Sequence, residues 1–229
     1  MVRFALIPVK ELVQAKARLA PVLDDGARRR LALALFRDVL AAALACPALD
    51  AVAVVTRDEE VLALAIEAGA EGLPEPGGLN EALTSAAETL GQRDADRLIV
   101  LAADLPLATS DDIAAVAQAR TDVAVAPSRD GGTNALALPL PVGAIAFRFG
   151  ADSARRHLAG AKEAGLRSLR LDLANLAFDL DTPEDLAQLR RIATEGRPVG
   201  RQTLTALTQL GLLSGQVDRG IHGRMARER

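Results

Sequence analysis

Aromatic residues and cysteine are scarce in this sequence: tryptophan and tyrosine are absent, and there are five phenylalanines and one cysteine, Cys46. With so few aromatic side chains to stack on bases, a platform for single-stranded nucleic acid is not expected. A lone cysteine excludes an internal disulfide and a zinc site built from cysteines. No apolar run approaches the roughly 20 residues that a membrane span needs, and the N-terminus does not read as a signal peptide. We therefore expect a cytoplasmic protein with no membrane or nucleic-acid partner.

Lysine is also rare. Three of the 27 basic residues are lysines, and two of these, Lys10 and Lys16, lie near the start of the chain. A compact ammonium group is a common phosphate ligand in nucleotide-binding loops. Solvated surface positions are the alternative interpretation. The first loop of the chain is therefore a candidate phosphate-binding segment.

The overall composition is that of a folded domain, because 50% of the 229 residues are apolar and 25% are charged. The net charge of −3 gives no general attraction to a polyanion. Residues 197–229 hold six arginines against Asp218 and Glu228, a charge of +4 that leaves −7 for residues 1–196. We predict a domain at 1–196 and a basic C-terminal extension at 197–229. We expect this extension to pack on the body or on a second subunit and to be dispensable for chemistry.

Short apolar segments alternate with helix-forming segments along most of the chain. This alternation predicts a three-layer α/β/α fold with an open, mainly parallel sheet. Ligands bind such sheets outside the carboxyl ends of the strands, so a site is expected in the residues that directly follow them. The predicted strands are residues 3–9, 50–56, 70–73, 97–103, 122–126, 133–138 and 167–171.

Three aspartates occupy such positions. Asp104 directly follows the apolar strand at 97–103. Asp179 and Asp181 form an Asp-x-Asp pair in an extended segment, where residues i and i+2 point to the same face. Two carboxylates so placed repel each other unless a cation lies between them, and oxygen-rich sites of this kind suit Mg²⁺ or Mn²⁺. The alternative is that Asp104 caps a turn and that Asp181 belongs to the start of the next helix.

Two further segments have the chemistry of anion binding. In residues 128–134 (SRDGGTN) the glycines allow backbone N–H groups to approach a ligand, and Thr133 and Asn134 add neutral donors. A hairpin turn alone would explain the glycines but not this polar pair. Residues 149–153 (FGADS) lead into a helix, and a helix N-terminus with a hydroxyl group is typical of anion sites. His157 lies in that helix, and by itself it favours a packing role over a catalytic one.

Two common nucleotide-binding patterns are missing from the sequence. There is no G-x-G-x-x-G and no G-x-x-x-x-G-K-[ST], so neither a Rossmann dinucleotide site nor a P-loop is supported. The glycine-to-helix junction at residues 77–80 (GGLN) has a simple alternative, which is a loop with an Asn cap.

The informative segments, taken together and in order, cover about residues 3–195. They read PVKELVQAKARLAPVL, GGLNEAL, AADLPL, SRDGGTNAL, FRFGADSARRHL and FDLDTPEDL. Their combination resembles the phosphoenolpyruvate, 2-phospho-L-lactate or 3-phosphoglycerate guanylyltransferases of coenzyme F-420 biosynthesis. That family belongs to the nucleotidyltransferases similar to molybdenum-cofactor guanylyltransferase. The opening IPVKELVQAKAR, in place of a glycine-rich LxAGxGxR, fits the F-420 branch better than the wider superfamily.

The resemblance implies a nucleotide-diphospho-sugar-transferase-like fold and a particular reaction. A phosphate oxygen of a small phosphorylated acid attacks the α-phosphorus of GTP, and pyrophosphate leaves. The guanylylated acid then passes to the next enzyme of the pathway. Such a transfer depends on positioning and on charge neutralisation more than on a covalent protein intermediate. Mg²⁺ or Mn²⁺ would screen the repulsion between the reacting phosphates.

Matched position by position, the resemblance also implies roles for individual residues. The residues at the reacting phosphates would be Lys10, Lys16, Arg18 and Asp104. The metal ligands would be Asp104, Asp179 and Asp181. The residues approaching the guanine nucleoside would be Pro74, Gly78, Leu79 and Asn80. The residues binding the acid would be Thr133, Gly150 and Ser153.

Two other functions are compatible with the same residues. One is a nucleotidyltransferase of this fold with a sugar phosphate or molybdopterin as acceptor, and the other is a nucleotide-binding protein without catalysis. Pyrophosphate release with a panel of nucleotides and acceptors separates them. Among the three acids we favour phosphoenolpyruvate, which is planar and presents both anions at low ordering cost. The sequence leaves the oligomeric state open, including a homodimer.

Overall fold

A computed structural model of the protein describes residues 1–141, 143 and 145–213. The strands of the described residues form one sheet in the order β3-β2-β1-β4-β6-β5-β7. Strand β6 is antiparallel to its neighbours β4 and β5, and the other neighbouring pairs are parallel. The prediction of a mainly parallel sheet is confirmed. The strands are β1 (Arg3–Val9), β2 (Ala51–Thr56), β3 (Glu71–Pro74), β4 (Arg97–Leu101), β5 (Val123–Pro127), β6 (Thr133–Pro139) and β7 (Ser168–Arg170).

Helices cover both faces of the sheet. The alternating side chains of β1 show why both faces need a cover. Ile7 packs with Phe36 on one face, whereas Leu6 packs with Leu83 on the other, as the two-residue period of a strand requires. The predicted three-layer α/β/α arrangement is therefore confirmed. None of the described helices is long and apolar enough to cross a membrane. The helices are α1 (Asp25–Leu44), α2 (Glu59–Glu67), α3 (Leu79–Gly91), α4 (Ser110–Ala117), α5 (Ser153–Glu163), α6 (Pro183–Thr194) and α7 (Arg201–Gln209).

The start of α6 fixes the chain next to the carboxyl end of β4. The hydroxyl of Thr182 accepts from the backbone N–H of Asp185 at 3.2 Å, and the carboxylate of Asp185 accepts from the backbone N–H of Thr182 at 2.9 Å. This reciprocal cap satisfies donors that a helix start leaves unpaired. One step earlier, the backbone N–H of Leu180 donates to the carbonyl of Asp104 at 3.1 Å. The Asp179–Asp181 segment is thereby held against the residue that follows β4.

Part of the predicted basic extension lies in the described residues, and it packs on the body. The carboxylate of Asp38, on α1, caps α7 by accepting from the backbone N–H groups of Gln202 at 2.9 Å and Thr203 at 2.7 Å. Leu207 is fully buried and shares a core cluster with Leu31 of α1. Residues 214–229 of the extension lie outside the described residues. The body and α7 are thus joined by both an apolar contact and a helix cap.

We predict that α7 contributes to stability through this contact. Leu207→Ala should lower the free energy of unfolding by about 2–5 kcal/mol, as for other buried leucines replaced by alanine. Leu204 lies on the same helix but is 40% exposed, so Leu204→Ala is a matched control that should cost less than about 1 kcal/mol. Urea unfolding of both variants measures the difference. Equal midpoints for the two would show that α7 is not part of the cooperative core.

Candidate active site

One cavity of about 660 Å³ lies at the carboxyl ends of β1, β4 and β5 and at the start of the antiparallel β6. This is the edge of the sheet where a ligand site was expected. The cavity is lined both by apolar side chains and by most of the residues singled out in the sequence. Those residues are Lys10, Lys16, Arg18, Leu79, Asp104, Thr133, Gly150, Ser153, Asp179 and Asp181.

The segment after β1 supplies the basic groups of the cavity. Lys10 and Arg18 are exposed, whereas the side chain of Lys16 is only 7% exposed. The backbone of Lys16 is left-handed, with a φ of 56°, a conformation that costs a non-glycine residue about 1 kcal/mol or more. The surrounding contacts must offset that cost. The side chain of Lys16 is thus turned inward, away from the solvent that Lys10 and Arg18 face.

Two carboxylates hold the buried ammonium of Lys16. Its Nζ donates to Asp104 Oδ2 at 2.5 Å and to Asp181 Oδ1 at 2.9 Å. Burial lowers the pKa of Lys16, but the attraction of Asp104 and Asp181 outweighs burial, so the pKa lies above its ordinary value. Lys16 is therefore a cation that bridges the end of β4 and the segment before α6.

Asp179 is the third carboxylate of this group. Its Oδ1 accepts from Asn134 Nδ2 at 3.3 Å, and the same amide also donates to the carbonyl of Leu176 at 2.8 Å. Burial raises the pKa of Asp179 to about 6, and the negative charge of Asp104 adds to the effect. Asp179 is therefore a buried carboxylate that binds a proton more readily than a solvated one. Within the described residues, no three acidic, histidine or cysteine side chains converge closely enough to form a ready-made metal site.

A pocket of neutral hydroxyl groups forms another wall of the cavity. Ser153 Oγ donates to Thr133 Oγ1 at 3.0 Å, and both side chains are buried. Gly150 adopts a φ of 122°, which strongly favours glycine, and it lies in the turn that leads into α5. The predicted acid-binding residues Thr133, Gly150 and Ser153 are thus brought together on one side of the cavity.

His157 lies fully buried against this pocket. Its Nδ1 is 3.1 Å from Thr133 Oγ1, and its Nε2 accepts from the backbone N–H of Arg148 at 3.0 Å. Its ring packs against that of Phe149 in a T-shaped arrangement, with ring centroids 4.9 Å apart. Burial lowers the pKa of His157 to about 4, and the nearby charges of Arg156 and Arg148 add to the effect. His157 is therefore a neutral imidazole with both nitrogens engaged.

The structure brings together fewer of the residues predicted for the nucleoside. Leu79 lines the cavity, whereas Pro74, Gly78 and Asn80 do not. Asn80 instead binds the backbone of Phe149, next to the residues predicted to bind the acid substrate. Its Oδ1 accepts from the backbone N–H of Phe149 at 2.8 Å, and its Nδ2 donates to the Phe149 carbonyl at 3.4 Å. Asn80 thereby connects the start of α3 to the turn before α5.

Sequence reasoning missed Glu75, which lines the cavity, and it gave no individual role to Asp130 and Phe149, which lie in the two segments predicted to bind an anion. Asp130 lies in the glycine-containing turn, where it accepts from the backbone N–H of Gly132 at 3.1 Å. The hydroxyl of Ser128 and this N–H hold the pKa of Asp130 below its ordinary value. Glu75 lies between two prolines in the loop after β3, a position that carried no local signal for a ligand.

Solved structures of proteins named as nucleotide-transferring enzymes share the fold of this chain. A solved structure of a candidate nucleotide-diphospho-sugar transferase from Desulfovibrio desulfuricans G20 superposes with a TM-score of 0.73. The two chains are 19% identical, and the match covers 93% of this chain and 97% of that one. At this level of identity the likeness concerns the fold alone, and it agrees with the sheet described above.

Residues 3–210 match the family described as Guanylyl transferase CofC like, and the chain belongs to that family. A phosphoenolpyruvate guanylyltransferase from Sphaerobacter thermophilus is 44% identical over 200 residues, covering 86% of this chain and 96% of that protein. One from Chloroflexus aggregans is 45% identical over 192 residues, covering 80% and 94%. The protein is therefore an enzyme, a nucleotidyltransferase that transfers a guanylyl group. The matched region extends past residue 196 and includes α7.

The depressed pKa of His157 predicts a dependence of stability on pH. The unfolded chain binds a proton at this histidine near pH 6.5, and the folded chain binds it only near pH 4. Acidification between those values therefore favours the unfolded state by up to about 3 kcal/mol. Asp179 acts in the opposite direction, because its pKa is raised to about 6 in the fold and its stabilising effect grows on acidification.

A difference measurement isolates the contribution of His157. The gap in unfolding free energy between the parent protein and His157→Asn should shrink by about 3 kcal/mol on going from about pH 7 to about pH 4. Urea unfolding at a series of pH values gives this gap directly. A gap that stays constant across the series would mean that His157 titrates normally in the folded protein.

Proposed function

We propose that the enzyme transfers GMP from GTP to the phosphate of phosphoenolpyruvate in coenzyme F-420 biosynthesis. The observation that supports this most directly is the cavity described above, which combines a basic loop, three carboxylates and a neutral hydroxyl pocket. The two relatives described above, at 44% and 45% identity, carry the name of this activity. In the reaction an oxygen of the acceptor phosphate bonds to the α-phosphorus. The bond from that phosphorus to the oxygen bridging to the β-phosphorus breaks, and pyrophosphate leaves with the electron pair.

The basic residues of the first loop act on GTP in this proposal. Lys10 and Arg18 are exposed at the cavity, where they can contact the triphosphate as it enters. Negative charge accumulates on the departing pyrophosphate, and cations placed there stabilise the transition state more than the bound substrate. The guanine nucleoside then lies toward Leu79, where Ala82 and Val55 add an apolar lining to the cavity.

A divalent cation, Mg²⁺ or Mn²⁺, is part of the proposal, which is supported by three carboxylates that line one cavity although they are not drawn together as a ready-made site. Asp104 and Asp181 already share one cation, the ammonium of Lys16. Burial and the negative charge of Asp104 raise the pKa of Asp179, and a cation beside it would favour the ionised carboxylate. Asp104, Asp179 and Asp181 would hold the ion, and it would neutralise phosphate charge and bring the reacting groups together. Because Lys16 binds the same carboxylates, its ammonium and the divalent ion compete for them.

Product analysis tests the proposal. The enzyme is incubated with GTP and one of three acids: phosphoenolpyruvate, 2-phospho-L-lactate or 3-phosphoglycerate. We expect a guanylylated product and pyrophosphate by mass spectrometry, with the highest kcat/KM for phosphoenolpyruvate. A sugar phosphate serves as a further acceptor. If one of the other two acids gave a tenfold higher kcat/KM, the acid assignment would be wrong but guanylyl transfer to a phosphorylated acid would stand. Product with the sugar phosphate alone would contradict the proposal.

Removing the charge of Asp104 should impair turnover. Asp104→Asn should lower kcat by two or more orders of magnitude, about 3 kcal/mol, which is the usual scale for losing a group that stabilises transition-state charge. Lys16 keeps Asp181 as a partner, so the variant should still fold, as circular dichroism can show. Asp172→Asn is the control, because Asp172 is exposed and pairs with Arg170 away from the cavity. An equal loss of kcat in both variants would contradict the assignment of Asp104 to the reacting phosphates.

Competition between Lys16 and a divalent cation can be measured without turnover. Lys16→Met removes the ammonium from Asp104 and Asp181, so Mn²⁺ should bind more tightly than to the parent protein when no nucleotide is present. The same variant should lose activity with GTP. Lys10→Met is the matched control, since Lys10 lines the cavity but is exposed and should leave Mn²⁺ affinity unchanged. Mn²⁺ binding followed by electron paramagnetic resonance gives both affinities. Weaker Mn²⁺ binding in Lys16→Met would show that the two cations do not share these ligands.

A further inference from the structure

The hydrogen bonds around His157 determine which of its nitrogens carries the proton. A backbone N–H can only donate, so the N–H of Arg148, 3.0 Å away, requires a lone pair on Nε2. A neutral imidazole has one proton, and that proton must then be on Nδ1. The partner of Nδ1 is Thr133 Oγ1 at 3.1 Å. The Thr133 hydroxyl therefore accepts a hydrogen bond from His157.

A second hydrogen bond occupies the other acceptor lone pair of the Thr133 hydroxyl. Ser153 Oγ donates to Thr133 Oγ1 at 3.0 Å. A hydroxyl has two acceptor lone pairs and one proton, so with both lone pairs occupied Thr133 can engage a further partner only as a donor. Among the described residues, Thr133 Oγ1 makes no side-chain hydrogen bond other than these two. Thr133 lines the cavity, which is where an acceptor from solution can reach it.

We propose that His157 is a positioning residue that commits the Thr133 hydroxyl to donate its proton to an anionic oxygen of the acceptor substrate. The inference rests on the proposed function for the identity of that substrate, a small phosphorylated acid. His157 does not touch the acid and transfers no proton. Its Nδ1–H removes the alternative in which the Thr133 hydroxyl donates its proton to an unprotonated Nδ1 and presents a lone pair to the anion, an arrangement that would repel it.

The surroundings of His157 keep this arrangement in place. The imidazole is fully buried, and Arg148 and Arg156 are the charged groups that act on it. Protonation would put a hydrogen on Nε2 against the N–H of Arg148 and would bring a third positive charge into the same region. The neutral Nδ1–H form is therefore the one that satisfies all the neighbouring backbone and side-chain groups.

Nuclear magnetic resonance can identify this tautomer directly. The protein has two histidines, and His222→Gln leaves His157 as the only one. In the ¹⁵N-histidine spectrum of this full-length variant, Nδ1 should appear protonated and Nε2 unprotonated, without substrate, from about pH 6 to pH 8. The opposite assignment, with the proton on Nε2, would overturn the inference and leave the proposed function intact.

Kinetics test whether His157 acts through Thr133. His157→Phe keeps a ring of similar size but removes the donor, and it should raise the KM for phosphoenolpyruvate about tenfold with little change in the KM for GTP. His157→Asn can offer an amide N–H to Thr133 and should recover most of that loss. A merely structural role predicts a smaller rise in this KM for His157→Phe than for His157→Asn, because Phe fills the buried space better than Asn. That result would contradict the inference.

A double-mutant cycle makes the test independent of the general effect on packing. Thr133→Val removes the hydroxyl while keeping the shape of the side chain, so it should also raise the KM for phosphoenolpyruvate about tenfold. If His157 acts through that hydroxyl, adding His157→Phe to Thr133→Val should raise this KM by less than about twofold. Multiplicative effects would overturn the inference. If phosphoenolpyruvate is not the acceptor, the cycle is run with the acid that product analysis identifies, so the two proposals can fail separately.

Discussion

The ion pair that joins Lys16 to Asp104 and Asp181 is the contact on which the geometry of the cavity depends. Its three members come from distant parts of the chain: the loop after β1, the end of β4 and the segment before α6. A buried ammonium without partners would cost several kcal/mol, so the folded chain must hold these segments together. The same requirement offsets the left-handed backbone of Lys16. The site is thus organised by attraction between groups that the proposed reaction would direct at phosphate and at a divalent ion.

The sheet and the position of the cavity could be predicted from the sequence because both depend on local patterns. Apolar segments of strand length alternate with helix-forming ones, and this alternation leaves few arrangements other than a parallel sheet covered on both faces. Asp104 was recognisable because it directly follows the apolar run at 97–103, although β4 itself ends at Leu101. The antiparallel direction of β6 follows from the short turn at residues 128–132, which can connect neighbouring strands only by reversing the chain.

The roles of His157, Asn80 and Lys16 could not be predicted, since each depends on a partner far away in the sequence. His157 was interpreted as a packing residue because nothing in its own helix shows that Arg148 and Thr133 meet its two nitrogens. Asn80 looked like a helix cap or a nucleoside contact, yet its amide pairs with the backbone of Phe149. Lys16 was expected to face phosphate, and its ion pairs became visible only when β4 and the segment before α6 were placed beside it.

The separation of charged and neutral groups within the cavity suits the proposed reaction. If the donor side is the one with Lys10, Lys16 and Arg18, cations meet the triphosphate where the leaving pyrophosphate gains charge. On the acceptor side Thr133, Gly150 and Ser153 line the cavity with hydroxyl and backbone groups, and the one charged side chain of the adjoining turn that lines it is the carboxylate of Asp130. Neutral donors orient an anion while leaving its charge largely in place, whereas a direct ammonium contact would withdraw electron density from the attacking oxygen. The hydroxyl pocket can therefore hold the acceptor without making its phosphate a poorer nucleophile. Under the proposed function, this accounts for the position of Lys10 and Lys16, which line the cavity together from the first loop.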